Sequence, residues 1–463
     1  MVMAAGLSGC LNLAPAYRQP PPPLPSSFAD RATDDASSPT ARSADQGYDL
    51  GWNDFIGDPR LRGLVAQALR NNRDLRVSTL NIEKARALYR IQDAQRLPTV
   101  DAVASATRTR ASGFTTTDYG VSASVPGYEV DLFGRVRNLS DSALSTYFAS
   151  RENRRSAQVL LVADVVTAWL TLAADQQRLT LSLQTYDSQR STLDLTQKIR
   201  DLGGSTGLVV AQVRSTVEAA RVQIAAYRTQ IDLDRNALEL LLGSPLADID
   251  DPNATIPVDA GVLLDVPSAL PSSVLVRRPD VQSSERRLQA TYADIGAARA
   301  AYFPRITLTT SVGTASSALN GLFRSGNGSW SFGPSITLPI FDAGVNAANL
   351  ANAVADRDIA VATYEKTLQS AFREVADVLA ARRTLGERTA GQLAYVDALA
   401  TSLTLSDAVF RQGSSNYLTV LTAQQTLYGA QQGLISLRLE EQTSRVALYK
   451  AFGGGWKDRE ESK

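Results

Sequence analysis

The chain has 463 residues with 47 basic and 47 acidic side chains and no histidine. Balanced charge leaves no basic surplus to hold a polyanionic backbone, so no nucleic-acid partner is expected. Without histidine the chain lacks the side chain most used for acid–base work near neutral pH and the commonest metal ligand; Met1 and Met3, its only methionines, cannot build a soft-metal relay. The expectation is no enzyme, no cofactor and no bound metal.

The only cysteine, Cys10, excludes an internal disulfide framework. Leu7-Ser8-Gly9-Cys10 follows a short apolar stretch and has the form of a lipobox, in which the cysteine becomes diacylated after cleavage. Residues 1–10 thus read as the end of a signal peptide, and the lack of a preceding Lys or Arg points to a true start further upstream. Residues 11–50, with Pro20-Pro21-Pro22-Pro23 and a Ser/Thr/Asp-rich run, read as an extended tether unable to pack a core. No uninterrupted run of 18 apolar residues occurs, so no transmembrane helix is predicted; a membrane crossing would have to be a closed β-barrel.

The remainder is written twice. Asn72-Arg73-Asp74-Leu75 corresponds to Arg278-Pro279-Asp280-Val281, and Leu97-Pro98 to Phe303-Pro304, at an offset of 206. Val165 with Val375, Gly203 with Gly413, Leu208 with Leu418 and Gly243 with Gly453 follow at 210, so four residues enter between, in the Gly/Ser-rich loop from Gly321 to Ser329. The repeats are 51–243 and 274–453, with a link at 244–273 and a tail at 454–463.

Each repeat opens with a helix starting near Asp74 or Asp280, and Pro98 or Pro304 stops it. A two-residue period follows, over about 100–127 and about 305–340. In the second copy Ile306, Leu308, Thr310 and Val312 alternate with Thr307, Thr309, Ser311 and Gly313, as in strands between lipid and a water-filled lumen. Four strands are too few to close a barrel, so closure demands oligomerisation, two-fold or three-fold. Long helical hairpins come next, at about 135–242 and 345–452. No Gly or Pro interrupts Arg135 to Leu202. The return helices carry heptad stripes: Val210, Val213, Val217, Ala220, Ile224, Tyr227, Ile231, Asp234, Leu238 and Leu241, then Val420, Ala423, Leu427, Ala430, Leu434 and Leu437.

Asn71-Asn72-Arg73-Asp74-Leu75-Arg76, Tyr128-Glu129-Val130-Asp131-Leu132-Phe133-Gly134-Arg135, Arg277-Arg278-Pro279-Asp280, Tyr302-Phe303-Pro304, Phe372-Arg373-Glu374-Val375-Ala376-Asp377, Asn416-Tyr417-Leu418-Thr419 and Gly453-Gly454-Gly455-Trp456, in this order, resemble the OprM branch of the TolC superfamily of outer membrane factors. That resemblance implies a mainly α homotrimer with a 12-stranded outer-membrane β-barrel continuous with a periplasmic α-helical barrel. It further implies a passive efflux duct working with a periplasmic adaptor and an inner-membrane pump of the resistance-nodulation-division type. It places the adaptor-contacting tips at Gly203, Gly204, Ser205, Thr206 and Gly207 and at Gly413, Ser414, Ser415 and Asn416, and the aperture near Val209, Phe410, Leu418, Thr419, Thr422 and Gln425. Here the sequence departs from the family: Val209, Thr419 and Thr422 stand where acidic residues usually form carboxylate rings, and Phe410 replaces a gate tyrosine. The expected gate closes by apolar packing more than by ionic links.

Plainer readings attach to other residues. Arg277 and Arg278 are expected to pair with belt carboxylates, Glu129 and Asp131 to shape a strand-to-helix corner, and Trp330 to anchor at a membrane interface or pack in a core. A duct for type I protein secretion and a periplasmic coiled-coil adaptor or scaffold lipoprotein are the competing functions.

Overall fold

The helix, strand-pair and hairpin pattern occurs twice in the computed structural model, which describes residues 11–25, 28, 51–246, 262–264 and 272–454. Cys10, most of the tether and of the link, and the tail beyond residue 454 lie outside the described residues.

Helices α1 (Trp52–Phe55) and α2 (Pro59–Asn71) precede the first repeat helix, α3 (Arg73–Ala94); its counterpart is α6 (Pro279–Ala300). Asp58 caps α2, accepting from the Arg60 and Leu61 amides, and Asn72 caps α3 through the Leu75 amide. Neither α3 nor α6 runs up to its proline. Each ends in a tightened turn, through Leu97 N–H to Ala94 O and Phe303 N–H to Ala300 O, so Pro98 and Pro304 begin the extended segment.

Strands β1 (Asp101–Ala111), β2 (Phe114–Val130), β3 (Arg305–Ser316) and β4 (Gly328–Thr337) form one antiparallel sheet in the order β1-β2-β3-β4. Ser112 and Gly113, both at positive φ, make the two-residue turn between β1 and β2. Residues 317–327 join β3 to β4 by a longer connection, where the extra residues were expected. The repeats meet at β2–β3, with Val121 opposite Thr314 and a bulge between Val125 and Tyr128. Gly313 lies against this contact, since a Cβ there would stand 2.3 Å from the Val121 carbonyl oxygen. β1 and β4 are both exposed and unpaired along their outer edges.

Helices α4 (Arg135–Asp201) and α7 (Val345–Arg411) are each 67 residues, about 100 Å at 1.5 Å per residue. Each contains an 18-residue window long and apolar enough to cross a membrane, but the one in α4 is mostly buried within the protein. Helices α5 (Gly207–Leu242) and α8 (Tyr417–Ala451) return. The α5 stripe from Val210 to Leu238 is buried as the period requires except at Tyr227, which is half-buried, and Leu242 takes the buried place expected of Leu241. On α8 the expectation holds only at Val420 and Ala430: Ala423, Leu427, Leu434 and Leu437 are half-buried, and burial passes to Leu421, Ile435, Gln442 and Val446. A straight 3.6-residue helix drifts about 20° per heptad, and α8 follows that drift instead of the written stripe.

Contacts divide the chain into two compact units. The first holds the sheet with residues up to 23, 78–154 and 280–367. In it the segment from Leu11 is extended, as its composition predicts, but it is docked and does not float free. The Tyr17 hydroxyl donates to Glu285 at 2.9 Å, Leu11 N–H bonds Leu132 O at 3.1 Å, and Gly296 leaves room for Ala14, whose Cα would stand 2.8 Å from a Cβ there. Glu129 receives two bonds from Arg135, at 2.7 and 2.6 Å, and Asp131 accepts from the Arg137 amide at the start of α4. The carboxyl pair therefore builds the strand-to-helix corner.

The second unit holds residues 24–77, 155–279 and 368–463. Phe55 stacks on Tyr449 at 4.4 Å and Phe28 on Phe372 at 4.8 Å. Arg278, almost fully buried, binds Glu374 at 3.0 Å and donates to the Ala451 carbonyl at 2.7 Å, the structural pairing expected for it.

Candidate functional site

The two hairpin tips, both in the second unit, are built alike. Gly203 and Gly413 sit in the left-handed region at φ +80° and +75°, just past the ends of α4 and α7. Each completes a Schellman turn: Gly203 N–H bonds Arg200 O and Gly204 N–H bonds Ile199 O, while Gly413 N–H bonds Phe410 O and Ser414 N–H bonds Val409 O. Both return helices then start from a capped amide. The Thr206 hydroxyl accepts from Val209 N–H at 3.4 Å, and the Asn416 side chain accepts from Thr419 N–H at 3.3 Å. Gly207 is the first residue of α5. Ser205 is half-buried, and Ser415 donates to Asn416 O and toward Thr419 Oγ1.

Behind the turns the hairpins share an apolar cluster of Val213, Tyr417, Val420 and Leu421, with Leu193, Val209, Leu403 and Phe410 packed against it. Phe410 meets Tyr417 edge-on, with ring centroids 5.4 Å apart. Of the residues expected at the aperture, Val209 and Phe410 belong to this packing. Leu418, Thr419, Thr422 and Gln425 do not: they lie on the opposite, exposed face of α8, while Tyr417, Val420 and Leu421 face inward. Burial pushes the Tyr417 phenol above its ordinary pKa, so it stays neutral throughout the physiological range.

Tyr417 was missed as a site residue, although its place one heptad step before Val420 and Leu421 marks it as inward-facing. The acidic side chains beside the tips are already paired: Asp201 with Arg200 at 2.6 Å and Asp407 with Arg411 at 2.8 Å. Among the described residues no cluster of acidic or thiol side chains could hold a metal.

A polar layer crosses the same helices further from the tips, and in the sequence its one mark is the acidic Asp234 among the apolar residues of the α5 stripe. Asp175 binds Arg178 at 2.6 Å, and Arg178 donates to Ser436 on α8 at 2.9 Å. Asp234 accepts from Gln230 at 2.9 Å; Tyr227 donates to Gln432 at 3.2 Å, and the Ser182 and Tyr428 hydroxyls share a bond at 2.8 Å. These contacts tie α8 to both α4 and α5.

Comparison with known proteins matches the outer membrane efflux protein family model over residues 64–244 and again over 270–454. The matched segments start 206 and end 210 residues apart, the offsets read from the sequence. The efflux pump outer membrane protein TtgC of Pseudomonas putida is 43% identical over 98% of this chain and 94% of its own. OprJ of Pseudomonas aeruginosa is 41% identical over 98% and 95%. The open-state MtrE outer membrane channel of Neisseria gonorrhoeae superposes with a TM-score of 0.86 at 36% identity, covering 96% of this chain and 99% of that one.

Proposed function

The chain belongs to the outer membrane efflux protein family, and from that premise we propose that three copies close one duct through which an inner-membrane pump of the resistance-nodulation-division type expels small molecules. Efflux across the outer membrane is the role shared by its relatives; the trimer, the lipid anchor and the gate are the finer parts of the reading. The observation that carries it is the sheet. β1 and β4 leave their outer edges unpaired, and a four-stranded sheet cannot cross lipid with open edges. Three such sheets, joined β1 to β4, supply twelve strands and remove every edge.

Acylation at Cys10 would hold the duct to the membrane. The turns at Gly203–Gly207 and Gly413–Asn416 would meet a periplasmic adaptor, and α8 would turn Leu418, Thr419, Thr422 and Gln425 to the lumen. A passive path needs no catalytic group, in keeping with the channel role of the relatives. Their efflux names also favour small-molecule export over protein secretion. Solubilising the protein in mild detergent tests the reading: it predicts a heat-modifiable trimer that gives single-channel conductance in planar bilayers. A folded monomer without conductance would overturn it.

A further inference from the structure

The register of the sheet sorts every strand residue onto one of two faces. One carries Ala102, Ala104 and Ala106 on β1, Tyr119, Val121, Ala123 and Val125 on β2, alternate residues from Ile306 to Val312 on β3, and Trp330, Phe332 and Ile336 on β4. The other is small and polar, and holds Asp101, Asp118, Glu129 and Arg305. In the duct proposed above the apolar face meets lipid. Two charged side chains break its pattern: Arg108 and Arg110, opposite Thr117 and Thr115, next to the hairpin turn and away from the helices. They are the only charged strand residues on that face, both are exposed, and among the described residues no hydrogen bond or ion pair engages either guanidinium.

Their height gives them a meaning. From the Ile306 row to the row of Tyr119 and Ser316 is ten residues of β3, roughly 33 Å along the strand and about 25 Å of membrane at a tilt near 40°. That equals the apolar band of an outer-membrane barrel, so Arg108 and Arg110 emerge two and four residues beyond it, at the outer headgroup level. A lone arginine there could serve solubility, but two on alternate positions of one strand stand about 7 Å apart on the same side. Among the described residues no carboxylate pairs with either of them. The stretch from Arg305 to Phe341 contains no Asp or Glu, so a neighbouring copy's β4 and its loop bring none to the β1 edge either. Asp118 points from the polar face.

We propose that Arg108 and Arg110 form a binding site on the lipid-facing rim for the phosphate groups of the phosphorylated glucosamine lipid of the outer leaflet. Guanidinium forks bind phosphate oxygens in pairs, while the alanines below and Tyr119 accept the acyl chains. The inference rests on the barrel reading, and the experiment separates the two.

Purified trimers of the parent, of R108Q/R110Q and of R108K/R110K are titrated with bisphosphorylated lipid A and with the same lipid dephosphorylated, and bound lipid is counted by native mass spectrometry. Single-channel conductance is recorded on the same samples. The parent should bind lipid A about 10- to 30-fold more tightly than the double glutamine variant, with the lysine variant between them. The dephosphorylated lipid should show no difference among the three. Equal lipid A binding by parent and R108Q/R110Q, with conductance intact in both, would overturn the site and leave the duct standing. Loss of the parent's preference for lipid A in millimolar inorganic phosphate would also overturn it, identifying a site for soluble anions. Absent conductance in the parent would overturn the barrel reading itself.

Discussion

At Gly243 the backbone lies at φ +68°, and a Cβ would stand 2.5 Å from the Asn71 carbonyl oxygen. At Gly203 φ is +80°, with open space where a Cβ would go. Both glycines end a long helix, yet the physics differs. An alanine at Gly203 meets only the left-handed penalty, about 1 kcal/mol, whereas at Gly243 it must also push α5 away from the end of α2. Gly203→Ala should therefore destabilise the protein by about 1 kcal/mol and lower its thermal midpoint slightly, and Gly243→Ala should cost more than about 2 kcal/mol and lower the midpoint further. Equal midpoints for the two variants would refute the close approach. Part of this was legible beforehand, since both glycines stand at repeat-related ends of helical stretches. The closeness of Asn71 was not: it depends on a contact across more than 170 positions, which no local pattern encodes.

Among elements, the polar layer across α4, α5 and α8 interrupts the apolar hairpin packing with paired charges and hydroxyls. Two carboxylates, Asp175 and Asp234, share one guanidinium, Arg178, with Tyr227 and Tyr428 as the other titratable neighbours. One oxygen of Asp234 is buried with no donor among the described residues. Burial, and then the proximity of Asp175, raise the Asp234 pKa above the ordinary carboxylate value, although the Gln230 bond and Arg178 oppose them. A carboxyl with a raised folded-state pKa keeps its proton when the unfolded chain has already released one. The folded state thus loses stability as pH climbs through that raised value and is unpenalised below the ordinary one. Asp234→Asn removes the titration and keeps the shape. Relative to the parent, its thermal midpoint should gain as pH rises from below the ordinary carboxylate value to neutrality; a gap that stays constant or shrinks over that whole range would rule the argument out. The sequence exposed Asp234 as a polar break in an apolar stripe, but Asp175 and Arg178 lie in a 67-residue helix that spreads its burial over several faces and hides any one-sided period. On α8 the drift of a straight helix against the heptad stripe left Leu434 and Leu437 half-buried and buried Ile435 and Val446 instead. Strands were easier to read, because a period of two on a half-exposed sheet leaves little room for drift.

For the whole molecule, in the duct proposed above closure is a matter of copy number, and it would turn single residues into rings. A carboxylate at a three-fold aperture would become three fixed negative charges, which hold divalent cations where the passage is narrowest. Here the corresponding rings would hold Val209, Thr419 and Thr422, and the nearest acids, Asp201 and Asp407, already face Arg200 and Arg411. What joins the hairpins near the tips is the apolar contact of Val213, Val420 and Leu421 with the edge-on pair Phe410 and Tyr417, which divalent cations cannot cross-link. Millimolar magnesium or cobalt on the periplasmic side of a planar bilayer should therefore leave the conductance nearly unchanged. Thr422→Asp should convert the same channel into one that divalent cations block, because it adds three charges on the exposed face of α8 without touching the apolar cluster. Strong block of the parent would show that carboxylates elsewhere reach the aperture. A Thr422→Asp channel that conducts and stays unblocked would remove Thr422 from the lumen and with it the assignment of that face of α8.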